Sequence, residues 1–193
     1  MLLVCDLETS GLKMTDVILE CAYARVHPET LEILSKDETV VRQRQLPYLE
    51  PVVREMHEES GLLGLLYPDT MPDGKYVYGH AELDNWLCQA FQSMEATPAS
   101  ILLCGHSIQF DKKRIEAFCQ NAAAYLSHRT IDLSTIRELM RYWQPLGAPQ
   151  LPKKDVAHRA MADVLQAIEN LKWYRDNAFR LKTLAKDFES ECC

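Results

Sequence analysis

The sequence predicts an α/β domain in which a mixed β-sheet is flanked by α-helices. Three strand-like segments near the N-terminus predict an antiparallel meander. In the rest of the chain one wholly apolar strand lies between helical segments, an order that is typical of α/β proteins. A length of 193 residues suits one domain with a sizeable core, so we expect residues 1–193 to form a single domain.

Local patterns justify each element in chain order. Strand formers predict strands over residues 1–8, 16–29 and 30–43. A helical segment from Leu46 to about Met56 follows, and prolines and glycines predict loops over residues 60–79. The remaining elements are predicted as helix 80–94, strand 100–107, helix 111–126, helix 134–145 ended by Pro145, and a long helix 155–179 capped by Asp155.

Charge and cysteine usage narrow the class of protein. The net charge is −7, which argues against a protein that coats duplex DNA but allows a pocket for a few phosphates. Seven cysteines without a CxxC framework favour free thiols in a reducing compartment. No apolar run approaches the roughly 18–20 residues of a membrane span, and no signal peptide is evident. We therefore expect a cytoplasmic protein with no membrane partner.

Four carboxylates are candidate metal ligands. Asp6 and Glu8 lie two residues apart in an apolar strand, so both side chains point to one face and need compensation. Asp111 follows the apolar strand, and Asp163 lies in the last helix. Taken alone, Asp111 could cap a helix and Asp163 could be solvated. Together the four oxygen donors suit two hard divalent cations, Mg²⁺ or Mn²⁺, of the kind that serve phosphoryl transfer.

His158 is the candidate general base. It lies five residues before Asp163, and on an ideal helix that spacing gives an angle of about 140°, so the two side chains would not share a face. We therefore expect His158 in the segment where the helix begins, from which it could take a proton from an attacking water. A solvated histidine near a helix start is the alternative interpretation.

Three motifs carry a resemblance to a known family. "DLETSGL", "GHSIQFD" and "HRAMAD" resemble, in that order, the motifs of the DEDDh 3′–5′ exonucleases, which have a ribonuclease-H-like fold and a two-metal site. "MHEESGL", "HRTIDLSTIRELMRYWQP" and "LQAIENLKWYRDN" are similar to the oligoribonuclease family, over nearly the full chain. The resemblance implies a homodimer that degrades short RNA fragments, dinucleotides included, to 5′-mononucleotides.

The resemblance also implies a set of substrate-binding residues. Leu12 would wedge against the bases, and Arg129 from the second subunit would cap the 5′ phosphate together with Ser134. His128 stands where the family carries a tyrosine that stacks on a base. The full set is Leu12, His57, Ser107, His128, Arg129 and Ser134.

Some features depart from the family pattern and leave alternatives open. His106 replaces a usual asparagine, Phe110 precedes Asp111, and the segment 63–100 is longer than expected. These changes leave substrate length and sugar preference open. A DEDDh exonuclease acting on single-stranded DNA, or as a proofreading subunit, remains an alternative, as does a non-catalytic module that keeps the fold. Activity on dinucleotides against longer strands, and a divalent-ion titration, separate these possibilities.

Overall fold

The computed structural model describes residues 1–67, 76–143, 150–151 and 158–179. Its elements in chain order are β1 Leu2–Thr9, β2 Ile18–Val26, β3 Ile33–Arg42, α1 Pro51–Glu59, α2 Leu62–Leu65, β4 Tyr76–Tyr78, α3 Gly79–Ser93, β5 Ile101–Gly105, α4 Gln109–Phe118, α5 Gln120–Ala123, β6 Leu126–Asp132, α6 Leu133–Trp143 and α7 Ala160–Asn177. None of the described helices combines the length and apolarity that a membrane span requires.

The strands of the described residues form one six-stranded mixed sheet in the order β4-β3-β2-β1-β5-β6. β1, β2 and β3 pair antiparallel, which confirms the predicted meander. β5 pairs parallel with β1, β6 with β5, and β4 with β3. The predicted α/β class with a mixed sheet is therefore confirmed.

The alternation of β1 decides which side of the sheet carries the strand acids. Leu3 belongs to a buried cluster with residues of α3 and α4, whereas Val4 belongs to a buried cluster with residues of α7. Because side chains alternate along a strand, Asp6 and Glu8 continue the face of Val4. They therefore project from the side of the sheet that α7 covers.

β5 pairs with only the first half of β1, and the two strands approach closely where β5 ends. β5 pairs with β1 only from Leu2 to Val4. At Gly105 an added Cβ would lie 2.7 Å from the backbone oxygen of Cys5, so the last residue of β5 has to be glycine. The remaining residues of β1 extend past β5, where the first turn of α4 can reach them.

Several element boundaries differ from the sequence predictions. The first helix begins at Pro51 instead of near Leu46, because proline suits the first helical position, where its missing N–H is not needed. The helix predicted over residues 111–126 breaks at Cys119, whose backbone leaves the helical region at φ −130° and ψ 64°. The short helix α2 and the strands β4 and β6 had no prediction of their own.

The last helix also begins later than predicted. α7 begins at Ala160, with Arg159 in extended conformation before it. Asp155 and Pro145, which were predicted to cap and to end helices, lie outside the described residues. The later start leaves His158 in the segment before the helix, as the helical angle to Asp163 predicted.

Candidate active site

Three of the four predicted carboxylates converge beside β1. Asp6, Glu8 and Asp163 each have an oxygen within 4.8 Å of the others. Glu8 is only 7% exposed, and Asp163 lies in the first turn of α7, on the side to which the strand acids project. Ionised carboxylates this close repel one another unless a cation compensates them. Their hard oxygen donors and their proximity fit a divalent cation.

Asp111 lies next to this group but is not one of the three. It is buried in the first turn of α4, and its Oδ1 accepts a hydrogen bond from the backbone N–H of Leu7 at 3.0 Å. Burial raises the pKa of the Asp111 carboxyl to about 7, although the amide of Leu7 and the charge of Arg114 lower it. The bond to Leu7 holds Asp111 against β1 between the two strand acids. A ligand role for Asp111 remains a prediction.

His158 sits at a strained backbone position. Its φ is +42°, in the left-handed region that non-glycine residues rarely adopt. Such strain persists only where surrounding contacts enforce it, and it is common at functional sites. His158 lies close enough to His57 to lower the pKa of His57. It also directly precedes Arg159, which is firmly held.

The residue that holds Arg159 is Glu20, which the sequence analysis missed. Glu20 is 1% exposed on β2, and its Oε1 accepts hydrogen bonds from Nε and Nη2 of Arg159 at 3.0 and 2.6 Å. Its Oε2 accepts the backbone N–H of Ala160 at 2.8 Å and so caps α7. A second acid in the strand "ILECA", together with the arginine of "HRAMAD", was the available signal.

His57, predicted to contact substrate, is fully buried. Its Nε2 lies 2.9 Å from the carbonyl oxygen of Thr9, and because a carbonyl only accepts, Nε2 carries the hydrogen. Within the described ranges its Nδ1 has no hydrogen-bond partner. Burial lowers the pKa of His57, while the Thr9 bond and Glu20 raise it. In this structure the imidazole stabilises the end of β1, and a direct substrate contact would require movement.

Two of the predicted substrate-binding residues, Ser107 and Ser134, lie together. The Oγ atoms of Ser107 and Ser134 are 3.2 Å apart, and the backbone N–H of Ser107 donates to the Ser134 hydroxyl at 3.0 Å. Asp132, not singled out by the sequence, accepts the N–H groups of both serines through Oδ1 at 3.1 and 2.9 Å. Asp132 thereby caps α6, and the hydroxyls of Ser107 and Ser134 remain at the protein surface.

The other predicted substrate residues lie further out. His128 and Arg129 are exposed on β6, an outer strand of the described sheet. The carbonyl of His128 accepts a hydrogen bond from Nζ of Lys112 at 3.2 Å. Leu12 is 84% exposed in the loop between β1 and β2. Arg114, which the sequence analysis did not single out, bonds this loop from α4.

Comparison with known families decides the relationship. A family model described as Exonuclease matches residues 3–171 of this chain. The chain belongs to this exonuclease family. Oligoribonuclease from Streptomyces coelicolor is 33% identical over 177 residues, which cover 90% of this chain and 84% of the relative. The mitochondrial oligoribonuclease of Bos taurus is 30% identical, covering 92% of this chain and 73% of the relative. The chain is thus an exonuclease of the oligoribonuclease group, as its motifs predicted.

A solved structure gives the same fold. Escherichia coli exonuclease I, in complex with a dA16 oligonucleotide, aligns with 93% of this chain at a TM-score of 0.70 and 18% identity. This chain spans 41% of the length of that exonuclease. The likeness confirms the ribonuclease-H-like fold. The family match and the oligoribonuclease relatives support a 3′–5′ exonuclease hydrolase over a non-catalytic module.

Proposed function

We propose that this exonuclease degrades short oligoribonucleotides, dinucleotides included, from the 3′ end to 5′-mononucleotides in a two-metal site. The observation that carries the proposal is the convergence of Asp6, Glu8 and Asp163 within 4.8 Å. The oligoribonuclease relatives support RNA as the substrate class. Residues 1–193 would form one such domain. The five cysteines that the structure describes are all free, which suits a reducing cytoplasm.

Two ions, Mg²⁺ or Mn²⁺, would be held by Asp6, Glu8, Asp163 and Asp111. When bound, they would supply positive charge that stabilises the phosphate in the transition state and acidifies the attacking water. Asp111 fits this role because burial disfavours its ionised form, so a nearby cation would compensate it. The ligand set therefore joins β1, α4 and α7 around one site.

His158 would act as the general base. Its imidazole would take the proton of the water whose oxygen attacks the 3′-terminal phosphorus. The P–O3′ bond then breaks, and the 3′ oxygen of the shortened chain takes a proton from solvent. Arg159 and Glu20 hold the backbone next to His158, which favours a fixed imidazole position.

The substrate would lie between the carboxylates and β6. Leu12 would pack against the bases and His128 would stack on one of them. Ser107, Ser134 and Arg129 would bind the 5′ phosphate, with Arg129 supplied by a second copy in a homodimer. The exposure of Arg129 on an outer strand favours this arrangement. We assign His57 to the same region, where it fixes the backbone at Thr9.

Product analysis on oligoribonucleotides of two to about ten residues tests the proposal, with and without Mn²⁺. We expect 5′-mononucleotides released stepwise from the 3′ end, complete hydrolysis of dinucleotides, and no product from Asp6→Asn. Deoxyribonucleotides of the same lengths are the comparison. Faster hydrolysis of long DNA strands than of RNA dinucleotides would favour the DNA exonuclease instead. Light scattering would test the homodimer.

A further inference from the structure

The loop that carries Leu12 has a well-defined backbone. We call residues 10–17 the Leu12 loop. Ser10 and Val17 close it, with the N–H of Ser10 bonded to the carbonyl of Val17 at 3.0 Å. Within it, Oδ2 of Asp16 accepts the N–H of Lys13 at 2.7 Å, and the N–H of Asp16 donates to the carbonyl of Lys13 at 3.0 Å. The exposed Leu12 side chain is therefore carried by an ordered turn.

Arg114 binds both neighbours of Leu12. Its Nη2 donates to the carbonyl of Gly11 at 3.2 Å and to the carbonyl of Lys13 at 3.0 Å. On its other side, Nη1 donates to the carbonyl of Phe110 at 3.4 Å, and the guanidinium carbon lies 3.3 Å from the centroid of the Phe110 ring. The guanidinium is thus fixed between α4 and the Leu12 loop.

Stability alone does not account for an arginine at this position. Arg114 is 1% exposed, and its Nε has no hydrogen-bond partner in the part of the chain that the structure describes. A buried guanidinium with an unsatisfied donor is costly, and an apolar side chain often serves such a position better. The guanidinium of Arg114, however, binds the two loop carbonyls through Nη2 and the carbonyl of Phe110 through Nη1, which an apolar side chain cannot do.

One turn of α4 connects this loop to the carboxylate site. Asp111 and Arg114 lie three residues apart, a spacing that puts both side chains on one face of α4. Asp111 bonds the N–H of Leu7 in β1, while Arg114 bonds the carbonyls on either side of Leu12. A rigid turn of helix therefore sets the position of Leu12 relative to the strand acids.

We propose that Arg114 is a positioning residue that fixes Leu12 against the substrate bases at a set distance from the carboxylate site. The inference rests on the proposed function, in which Leu12 contacts bases. A substrate with two bases should depend on this contact more than a substrate with one. Loss of Arg114 should therefore raise KM for a dinucleotide. Because the charge of Arg114 also acts on Asp111, any change in kcat should be the same on a substrate with one base.

Steady-state kinetics with Mn²⁺ test the inference on two substrates. One is the dinucleotide pApA, and the other is the p-nitrophenyl ester of thymidine 5′-phosphate, which has one base. For Arg114→Met we expect KM for pApA to rise about tenfold, and KM for the ester to stay within about twofold. Arg114→Lys keeps the charge but has one donor nitrogen in place of several, so its KM for pApA should lie between those of the wild type and Arg114→Met. Lys113→Met, an exposed neighbour on α4, is the control and should change neither.

A double-mutant cycle decides whether Arg114 acts through Leu12. In a Leu12→Ala background, Arg114→Met should add no further increase in KM for pApA. Additive effects on KM, or an equal rise in KM for both substrates, would overturn the inference. If circular dichroism shows that Arg114→Met does not fold, the cycle is built on Arg114→Lys.

A wild-type protein that hydrolyses neither substrate refutes the proposed function, whereas an active wild type with an unchanged Arg114 variant refutes only this inference.

Discussion

Glu8 and Glu20 lie directly opposite each other in the antiparallel pairing of β1 and β2. Like charges at paired positions destabilise a sheet, and both residues are buried here. The two acids have different neighbours. Glu20 is matched by Arg159 and by the N-terminus of α7, whereas Glu8 converges with Asp6 and Asp163. The pairing therefore links the segment of His158 to the candidate metal ligands.

Glu20→Gln should lower kcat without weakening metal binding. An amide cannot make the same charged pair, so Arg159 loses its partner and the backbone at His158 is less well held. We expect kcat to fall at least about tenfold, since small displacements of a general base are costly. Turnover of a dinucleotide gives kcat, and calorimetry gives the Kd of Mn²⁺.

The exposed Glu55→Gln in α1 is the matched control and should leave both quantities unchanged. A Glu20→Gln protein with normal kcat would contradict the positioning role of the pair. A protein that instead loses Mn²⁺ affinity would show that Glu20 belongs to the metal site.

Asp163→Asn should remove most of the stabilisation that divalent ions give. An ion that binds only the folded state raises stability by mass action, and loss of one of the three converging carboxylates weakens binding. We expect Mn²⁺ at about 100 times its Kd to raise Tm of the wild type by several degrees but not that of Asp163→Asn. Differential scanning fluorimetry with and without Mn²⁺ measures both.

The control is Asp37→Asn, an exposed acid on β3. It should keep the Mn²⁺-dependent increase in Tm. An equal increase in the Asp163→Asn protein would show that the cation binds elsewhere and would remove the main support for the two-metal site.

Regular patterns in the chain predicted much of the fold, and side-chain partners explain most of the rest. The meander and the common face of Asp6 and Glu8 follow from a period of two, which any strand imposes. β6 was missed because its polar residues show little apolar alternation at the outer edge. Glu20 and Arg114 were missed because their partners lie more than 100 residues away along the chain. Local sequence shows an acid in an apolar strand at Glu20, but it does not identify a partner so far along the chain.

Gly105→Ala should destabilise the fold and with it the end of β1. The added Cβ would lie 2.7 Å from the backbone oxygen of Cys5, and a backbone atom cannot move aside cheaply. We expect a loss of about 1–3 kcal/mol in the free energy of unfolding, measured by urea denaturation. Gly64→Ala is the matched control, since the position is helical and, among the described residues outside its own helix, no atom lies within 4 Å of its added Cβ. That variant should be neutral or slightly more stable. Equal losses in both would mean that the close approach at Gly105 does not determine the effect.

His80 should make stability depend on pH below neutrality. Its Nε2 accepts the backbone N–H of Ile18 at 3.3 Å, and its ring stacks on Phe118 with centroids 4.1 Å apart. Burial lowers the pKa of His80 below its ordinary value near 6.5, because the charged form is poorly solvated there. The unfolded chain therefore binds a proton more readily than the folded one, so this stabilisation is present above about pH 6.5 and is lost as the pH falls.

Urea denaturation from pH 5 to 8 checks this dependence in the wild type and in His80→Asn. We expect the free energy of unfolding to fall more steeply below pH 6.5 in the wild type, because asparagine does not titrate. His57, whose pKa is also lowered by burial, and Asp111, whose pKa burial raises to about 7, contribute equally to both proteins and cancel in the difference. Parallel curves for wild type and His80→Asn would mean that the pKa of His80 is the same in the folded and the unfolded protein, which would contradict its burial and its bond from Ile18.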